Sequence, residues 1–299
     1  MGGALGRGAA GRLALEALGG AGRCAVTPLR LALIRADDHH HRYLESLLAG
    51  RFDLALVVVE PEAARAAALR RHGRYRDWFY HLYHRCRRAL TGKDAYRRQY
   101  FAHTPELWAD PGPRRLRVRS VNEDAVVDAL RAVFVDVVVI IGCSALSRAT
   151  LAAAGPLVIN VHDGFLPYYR GDHGFFFAVY DRRFDRIGAT IHRADPDVDT
   201  GELIEVVRPQ VRGDELPEQL NCRADLLAIH RLAGWLEILE RGGELPSYAQ
   251  PPVGRTYRIR DRGPAHDLRY FLRRCLRTAG PSRDCIGERR ASSLEGAMR

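Results

Sequence analysis

Four short, nearly uninterrupted apolar runs constrain this chain most: residues 29–36 (LRLALIRA), 52–60 (FDLALVVVE), 135–143 (VDVVVIIGC) and 156–162 (PLVINVH). Each is far shorter than the roughly 20 residues of a membrane-spanning helix. Each is also too continuously apolar for a strand with one face in water, so they read as strands buried on both faces of a parallel sheet. Helical stretches separate them: DDHHHRYLESLLAG with Asp near its start and Gly50 as its stop, Asn122 to Val133, and Ser147 to Ala154. RLRVRSV (115–121), IGATIHRAD (187–195) and ELIEVVRPQV (202–211) read as further strands, and Gly174 to Asp181 as a helix. Residues 215–241 form a long amphipathic helix closed by Gly242-Gly243. The alternation predicts an α/β chain: a Rossmann-like, mostly parallel sheet with helices on both faces and a short C-terminal extension.

The boundaries follow from where this pattern holds. Residues 1–28 are Gly/Ala-rich and read as a flexible leader, without the basic region and unbroken apolar run of a signal peptide. Residues 29–212 form the α/β domain, interrupted at 61–114 by a helical basic insert. There Trp78, Phe79, Leu82, Tyr83, Cys86 and Leu90 recur at helical spacing among Arg76, Arg85, Arg87 and Arg88. We read this as a helix packed on the core with a wet basic face, ahead of a membrane-surface or phosphate-facing role. Residues 213–299 hold the long helix and an Arg-rich tail, in which 255–261 supports one strand and 266–277 one helix.

Composition narrows the chemistry. The six cysteines are widely spaced with no CxxC pair, which argues against a zinc or redox motif and suits reduced thiols in the cytoplasm. No metal is expected. The chain of 299 residues carries a net charge of +10, but Lys93 is its one lysine. An all-arginine excess reflects a GC-rich genome before it reflects nucleic acid, which stays open but ranks below a small-molecule partner. Neither GxGxxG nor GxxxxGK[ST] occurs in a strand-to-helix turn, so no dinucleotide or P-loop site is indicated.

In a doubly covered parallel sheet, chemistry sits beyond the carboxyl ends of the strands. The stretch NVHDGFLPYYRG (160–171) lies there, and DPDVDTG (195–201) follows a later strand. If both strands lie near the middle of one sheet, Asn160, His162 and Asp199 come together. Singly, each has a dull explanation as a turn former or a satisfied histidine. As a set they suit acyl transfer to an amine. An amide N–H and an imidazolium can hold a tetrahedral oxyanion. A carboxylate beside the imidazole raises its pKa, fixes its orientation and can take up the amine's proton.

The ordered motifs NVH (160–162), LPYYRG (166–171), GATIH (188–192) and DVDTG (197–201) resemble those of the folate-dependent formyltransferases, over about residues 29–241. That family includes the methionyl-tRNA, glycinamide ribonucleotide and sugar N-formyltransferases. The resemblance implies a formyltransferase catalytic domain over 29–212 with 10-formyltetrahydrofolate as co-substrate. Asn160 and His162 would polarise the formyl group, and Asp199 would tune His162 and assist proton removal. The pterin would lie between Cys143, Ser144, Ala145 and Leu146 on one side and Ala194, Asp195, Asp197 and Val198 on the other, with Leu166 and Pro167 closing over it. Tyr168, Tyr169, Arg170, His173 and Phe175 would meet the acceptor. Departures fall at Asp163-Gly164, where a small or Pro-containing pair is usual, and at His173 with Phe175 to Phe177. They bear on the acceptor. The tail is too short for the β-barrel of the methionyl-tRNA enzymes, and the insert is longer than the purine enzymes carry. An amino sugar, nucleotide-linked, or a natural-product amine is therefore expected. The tRNA and purine activities and a non-catalytic basic binding module remain as alternatives, and a homodimer is compatible with the pattern.

Overall fold

The computed structural model describes residues 28–102, 112–212 and 215–278. The rest of the expected leader, part of the insert (103–111) and the tail beyond 278 lie outside the described residues. The apolar runs become β1 (Arg30–Arg35), β2 (Asp53–Val59), β4 (Val137–Ile141) and β5 (Val158–His162), joined by β3 (Arg114–Arg117), β7 (Ala189–Arg193) and β8 (Leu203–Val207) in one seven-stranded sheet of order β3-β2-β1-β4-β5-β7-β8. β1 to β5 run parallel, while β5–β7 and β7–β8 pair antiparallel. Leu31, Leu33 and Val57 bury one face of the sheet and Ala32, Ile34 and Val58 the other, which is why these strands are apolar throughout.

One layer consists of α1 (His39–Ala49), α7 (Gly174–Tyr180) and α8 (Pro217–Glu240), and the opposite layer of α5 (Asp124–Val133) and α6 (Arg148–Ala154). Successive strands run from β1 toward β3 on one side and from β4 toward β8 on the other. The β1/β4 boundary is therefore the topological switch point, where a crevice opens.

The insert is helical as expected: α2 (Glu62–Arg71), α3 (Tyr75–Leu90) and α4 (Lys93–Tyr100). It is tied to the core by Phe101, packed on Tyr43 and His40 of α1, and by charge. The Arg97 guanidinium, 6 % exposed, donates to Glu218 (2.9 Å) and Asp38 (3.2 Å), to the Asn221 carboxamide oxygen, and lies 3.6 Å from Asp225. Beyond α8, β9 (Arg255–Tyr257) pairs with β6 (Tyr169–Gly171), and α9 (Pro264–Thr278) packs Tyr270 and His266 on Phe176, Phe177 and Tyr180. Among the described residues no helix is long and apolar enough to cross a membrane.

Removing one partner from a buried ionic network leaves the others uncompensated and costs about 3–5 kcal/mol. Arg97→Met should destabilise the fold by that order in denaturant unfolding at pH 7. A loss under about 1 kcal/mol, the scale of an exposed pair, would mean that α4 is held by something else.

Candidate active site

Asn160 and His162 alternate along β5 and point to one face of the sheet. The antiparallel register sets Asn160 opposite His192 of β7 and His162 opposite Thr190. This register changes how Asp199 arrives. Because β7 runs against β5, its carboxyl end lies beside the start of β5, away from His162. The loop from Ala194 to Gly201 must fold back across the sheet. Gly201 allows this, since a Cβ there would sit 1.9 Å from the Arg193 carbonyl oxygen. Gln250 Nε2 fastens the loop by donating to the carbonyls of Asp199 (3.0 Å) and Gly201 (2.6 Å).

At the tip of this loop Asp199, with φ of 54°, meets both β strands. Asn160 Nδ2 donates to Asp199 Oδ1 (3.2 Å) and to His192 Nε2 (3.0 Å). The Gly171 N–H donates to Asp199 Oδ2 (2.8 Å), and His162 Nδ1 lies 3.4 Å from the same oxygen. Tautomers follow from the remaining contacts. His162 Nε2 faces the Tyr169 carbonyl (3.0 Å) and must carry a proton, so a second proton on Nδ1 would face Asp199. His192 Nδ1 faces the Arg193 carbonyl (2.8 Å), leaving Nε2 as the acceptor that orients Asn160. Burial works to raise the Asp199 pKa, but His162, His192 and the Gly171 N–H outweigh it and hold the carboxyl well below the carboxylate range.

A cavity of about 580 Å³ opens on this network. One wall carries Cys143, Ser144, Ala145, Leu146, Ala194, Asp195, Asp197 and Val198, so all eight loop residues expected on the folate side line it. Glu60, 1 % exposed at the end of β2, shapes this wall by accepting from the N–H groups of Val121 (3.2 Å) and Ser144 (2.8 Å). Burial, and then Glu60, push the Cys143 thiol up to about 12, which keeps it a neutral wall group.

The expectations around the LPYYRG motif need correction. Leu166 and Pro167 are not part of the cavity wall. Leu166 is 1 % exposed and ties its N–H to Thr190 Oγ1, while the Pro167 carbonyl abuts Gly254. Tyr168 lies under the Arg186 guanidinium (3.5 Å), Tyr169 stacks on Tyr257 (5.9 Å), and Arg170 binds the Val253 carbonyl and Gln250. Phe175, Phe176 and Phe177 are buried in the core, with Phe177 stacked on Tyr257 at 4.0 Å. The reason is shared. Past Gly164 the chain turns into β6, which β9 covers, so the rings fill the space between β6, β9 and α7 rather than meeting a ligand. Of the residues expected at the acceptor, His173 alone reaches the cavity.

The cavity is also lined by groups the sequence reading did not assign: His41 from α1, Arg65 and Arg97 from the insert, Asp172, Asp225 from α8, and Arg258 after β9. Hydrophobic patterning could not reveal them, because they join the site only through tertiary packing. His192 did leave a signal, standing inside the GATIH run on a strand beside β5. Among the described residues no group of three or more His, Cys, Asp or Glu could hold a metal ion.

The Asn–His–Asp cluster thus stands at the end of β5 in a Rossmann-like sheet, in the wall of one cavity. Residues 90–230 match the family model described as formyl transferase. Methionyl-tRNA formyltransferase of Paraburkholderia phymatum is 30% identical over 156 residues, 52% of this chain and 47% of that protein. The same enzyme of Anaeromyxobacter dehalogenans is 30% identical over 156 residues, 52% and 50% of the two chains. The chain thus spans about half the length of these curated relatives. Among solved structures, a sugar N-formyltransferase from Shewanella sp. superposes with a TM-score of 0.51 over 82% of this chain and 87% of that one, at 15% identity. A phosphoribosylglycinamide formyltransferase from Anaplasma phagocytophilum gives 0.50 over 77% and 99%, at 16%. At such identities the superpositions speak for the fold.

A carboxyl whose folded pKa lies below its unfolded value of about 3.9 adds stability that is complete above that value and is lost as pH falls through the folded one. Asp199→Asn should therefore be less stable than the parent chain at pH 7, with the gap narrowing below about pH 4. Denaturant midpoints between pH 7 and 3 would show this, and a gap that does not change with pH would contradict it.

Proposed function

We propose that this chain is an N-formyltransferase that moves the formyl group of 10-formyltetrahydrofolate to a primary amine. One observation carries the reading: Asn160 donates to Asp199 and His162 Nδ1 lies 3.4 Å from it, and these three groups share a cavity with the paired loops Cys143–Leu146 and Ala194–Val198. Those loops suit a pterin. Asp195 Oδ1 is buried without a hydrogen bond and can accept from the amino and ring N–H groups of such a ring. The bound folate would supply an activated formyl carbon, so the chain needs no nucleophile of its own.

The chain's residues then act on charge. Attack of the amine leaves an oxyanion on the formyl oxygen, and His162, held beside Asp199, stabilises it together with the Asn160 amide. The Asn160 N–H now given to His192 is the one that can turn to that oxygen, because the other is held by Asp199. Asp199 keeps its charge throughout and fixes both groups. It orients and stabilises, as a preorganised carboxylate does.

An amino sugar fits the acceptor half best. Asp163, Asp172, Asp225 and His173 can bind a protonated amine and hydroxyls, while Arg65 and Arg258 can meet the phosphate of a nucleotide-linked sugar. A methionyl-tRNA acceptor is the second reading, favoured by the curated relatives that bear that name. The test is incubation with 10-formyltetrahydrofolate and a panel of amino-sugar nucleotides alongside initiator methionyl-tRNA, with mass spectrometry for the formylated product. The amino-sugar reading expects formylated sugar and unmodified tRNA; the reverse would replace it. His162→Ala should lower transfer about 10²–10³-fold with folate affinity largely kept, and unchanged turnover would remove His162 from the chemistry.

A further inference from the structure

Resting on the formyl-transfer reading, we propose that Asp163 is the group that takes the proton from the attacking amine. Asp199 is badly placed for that task. Its Oδ1 accepts from Asn160 and its Oδ2 accepts from Gly171 and faces His162, so both oxygens are engaged. A carboxylate held by that many donors is a weak base.

Asp163, the next residue after His162, is arranged differently. It lines the cavity and is held there from α8 by Asn221. Its side chain is open to solvent although protein surrounds it, because what it exposes is cavity wall. Among the described residues its Oδ1 takes one hydrogen bond, from Asn221 Nδ2 (2.7 Å), which fixes the carboxylate.

The surroundings set its basicity. From α8 come Asp225 and Asn221, from α4 Arg97 and Lys93, and from β5 His162. Arg97 is largely neutralised by Asp38, Glu218 and Asp225, and Lys93 pairs with Glu218. The cations therefore compensate little. Burial, and then repulsion from Asp225, push Asp163 up to about 6. A base near the working pH is the effective kind.

The step balances. The amine lone pair forms the new C–N bond while the formyl C=O pair moves onto oxygen, and one N–H proton passes to Asp163. When the carbonyl re-forms, the bond to the folate nitrogen breaks. That nitrogen leaves with the bond pair and takes the proton back from the Asp163 carboxyl, which returns to carboxylate.

The sign of the pH effect follows. The basic form is lost below about 6, so kcat/KM should fall about tenfold per pH unit there and level off above. The probe is methoxyamine with 10-formyltetrahydrofolate, an amine already unprotonated across pH 5–8. Tetrahydrofolate release by the wild type should show that acid limb. Asp163→Asn, which keeps an acceptor for Asn221, should be about a hundredfold slower at pH 7 and should lose the limb, while Asp163→Glu should retain it. Equal melting temperatures would exclude a folding defect. Wild-type release with the limb unchanged in Asp163→Asn would overturn this assignment alone. No release by the wild type, to methoxyamine or to water, would overturn the formyl-transfer reading and this assignment with it.

Discussion

The site depends on a carboxylate that the fold removes from water and then surrounds with donors. Burying an ionised carboxyl costs several kcal/mol unless its lone pairs are taken up. Asp199 meets that condition through an amide, a backbone N–H and the edge of an imidazole, and hydrogen bonds to a charged group contribute about 1.5–3 kcal/mol each. The donors come from two segments: Asn160 and His162 from β5, Gly171 from β6. One negative charge thus sets the relative position of the central strand, the turn that follows it and the returning loop.

Around that charge the protein divides its ionisable groups by environment. Asp199, ringed by donors, stays ionised and fixes geometry. Asp163, one residue beyond His162, shares its surroundings with another carboxylate and is driven the opposite way. Two carboxylates in one cavity, pushed apart in basicity, can hold different parts of one reaction. The insert takes part in this division. Arg97 spends its charge on Asp38, Glu218 and Asp225, which fastens α4 to α1 and α8 and leaves Asp163 little compensation.

Much of the fold was legible because burial writes itself into composition. β1, β2, β4 and β5 are covered on both faces, so their sequences could hardly be other than apolar, and the helices between them carry start and stop residues. The expected strand over 115–121 becomes Arg114–Arg117 because that edge strand, three of its four residues arginine, has only β2 beside it. The aromatic residues of LPYYRG and FFF misled for the same reason that the strands did not. A ring in sequence is equally suited to a ligand or to a core, and β9, far along the chain, decided for the core.

By itself the sequence determined the strand-helix alternation, the position of Asn160 and His162 at the end of a buried strand, and the need for a carboxylate partner near Asp199. Those are local properties, fixed by side-chain period and turn chemistry. Only the tertiary structure decided that β7 runs antiparallel and sets His192 against Asn160. It decided too that the Ala194–Gly201 loop folds back to deliver Asp199, and that residues from α1, α4, α8 and β9 line the same cavity. Strand direction and loop return depend on which backbone hydrogen bonds form between distant segments, and no window of sequence contains both partners.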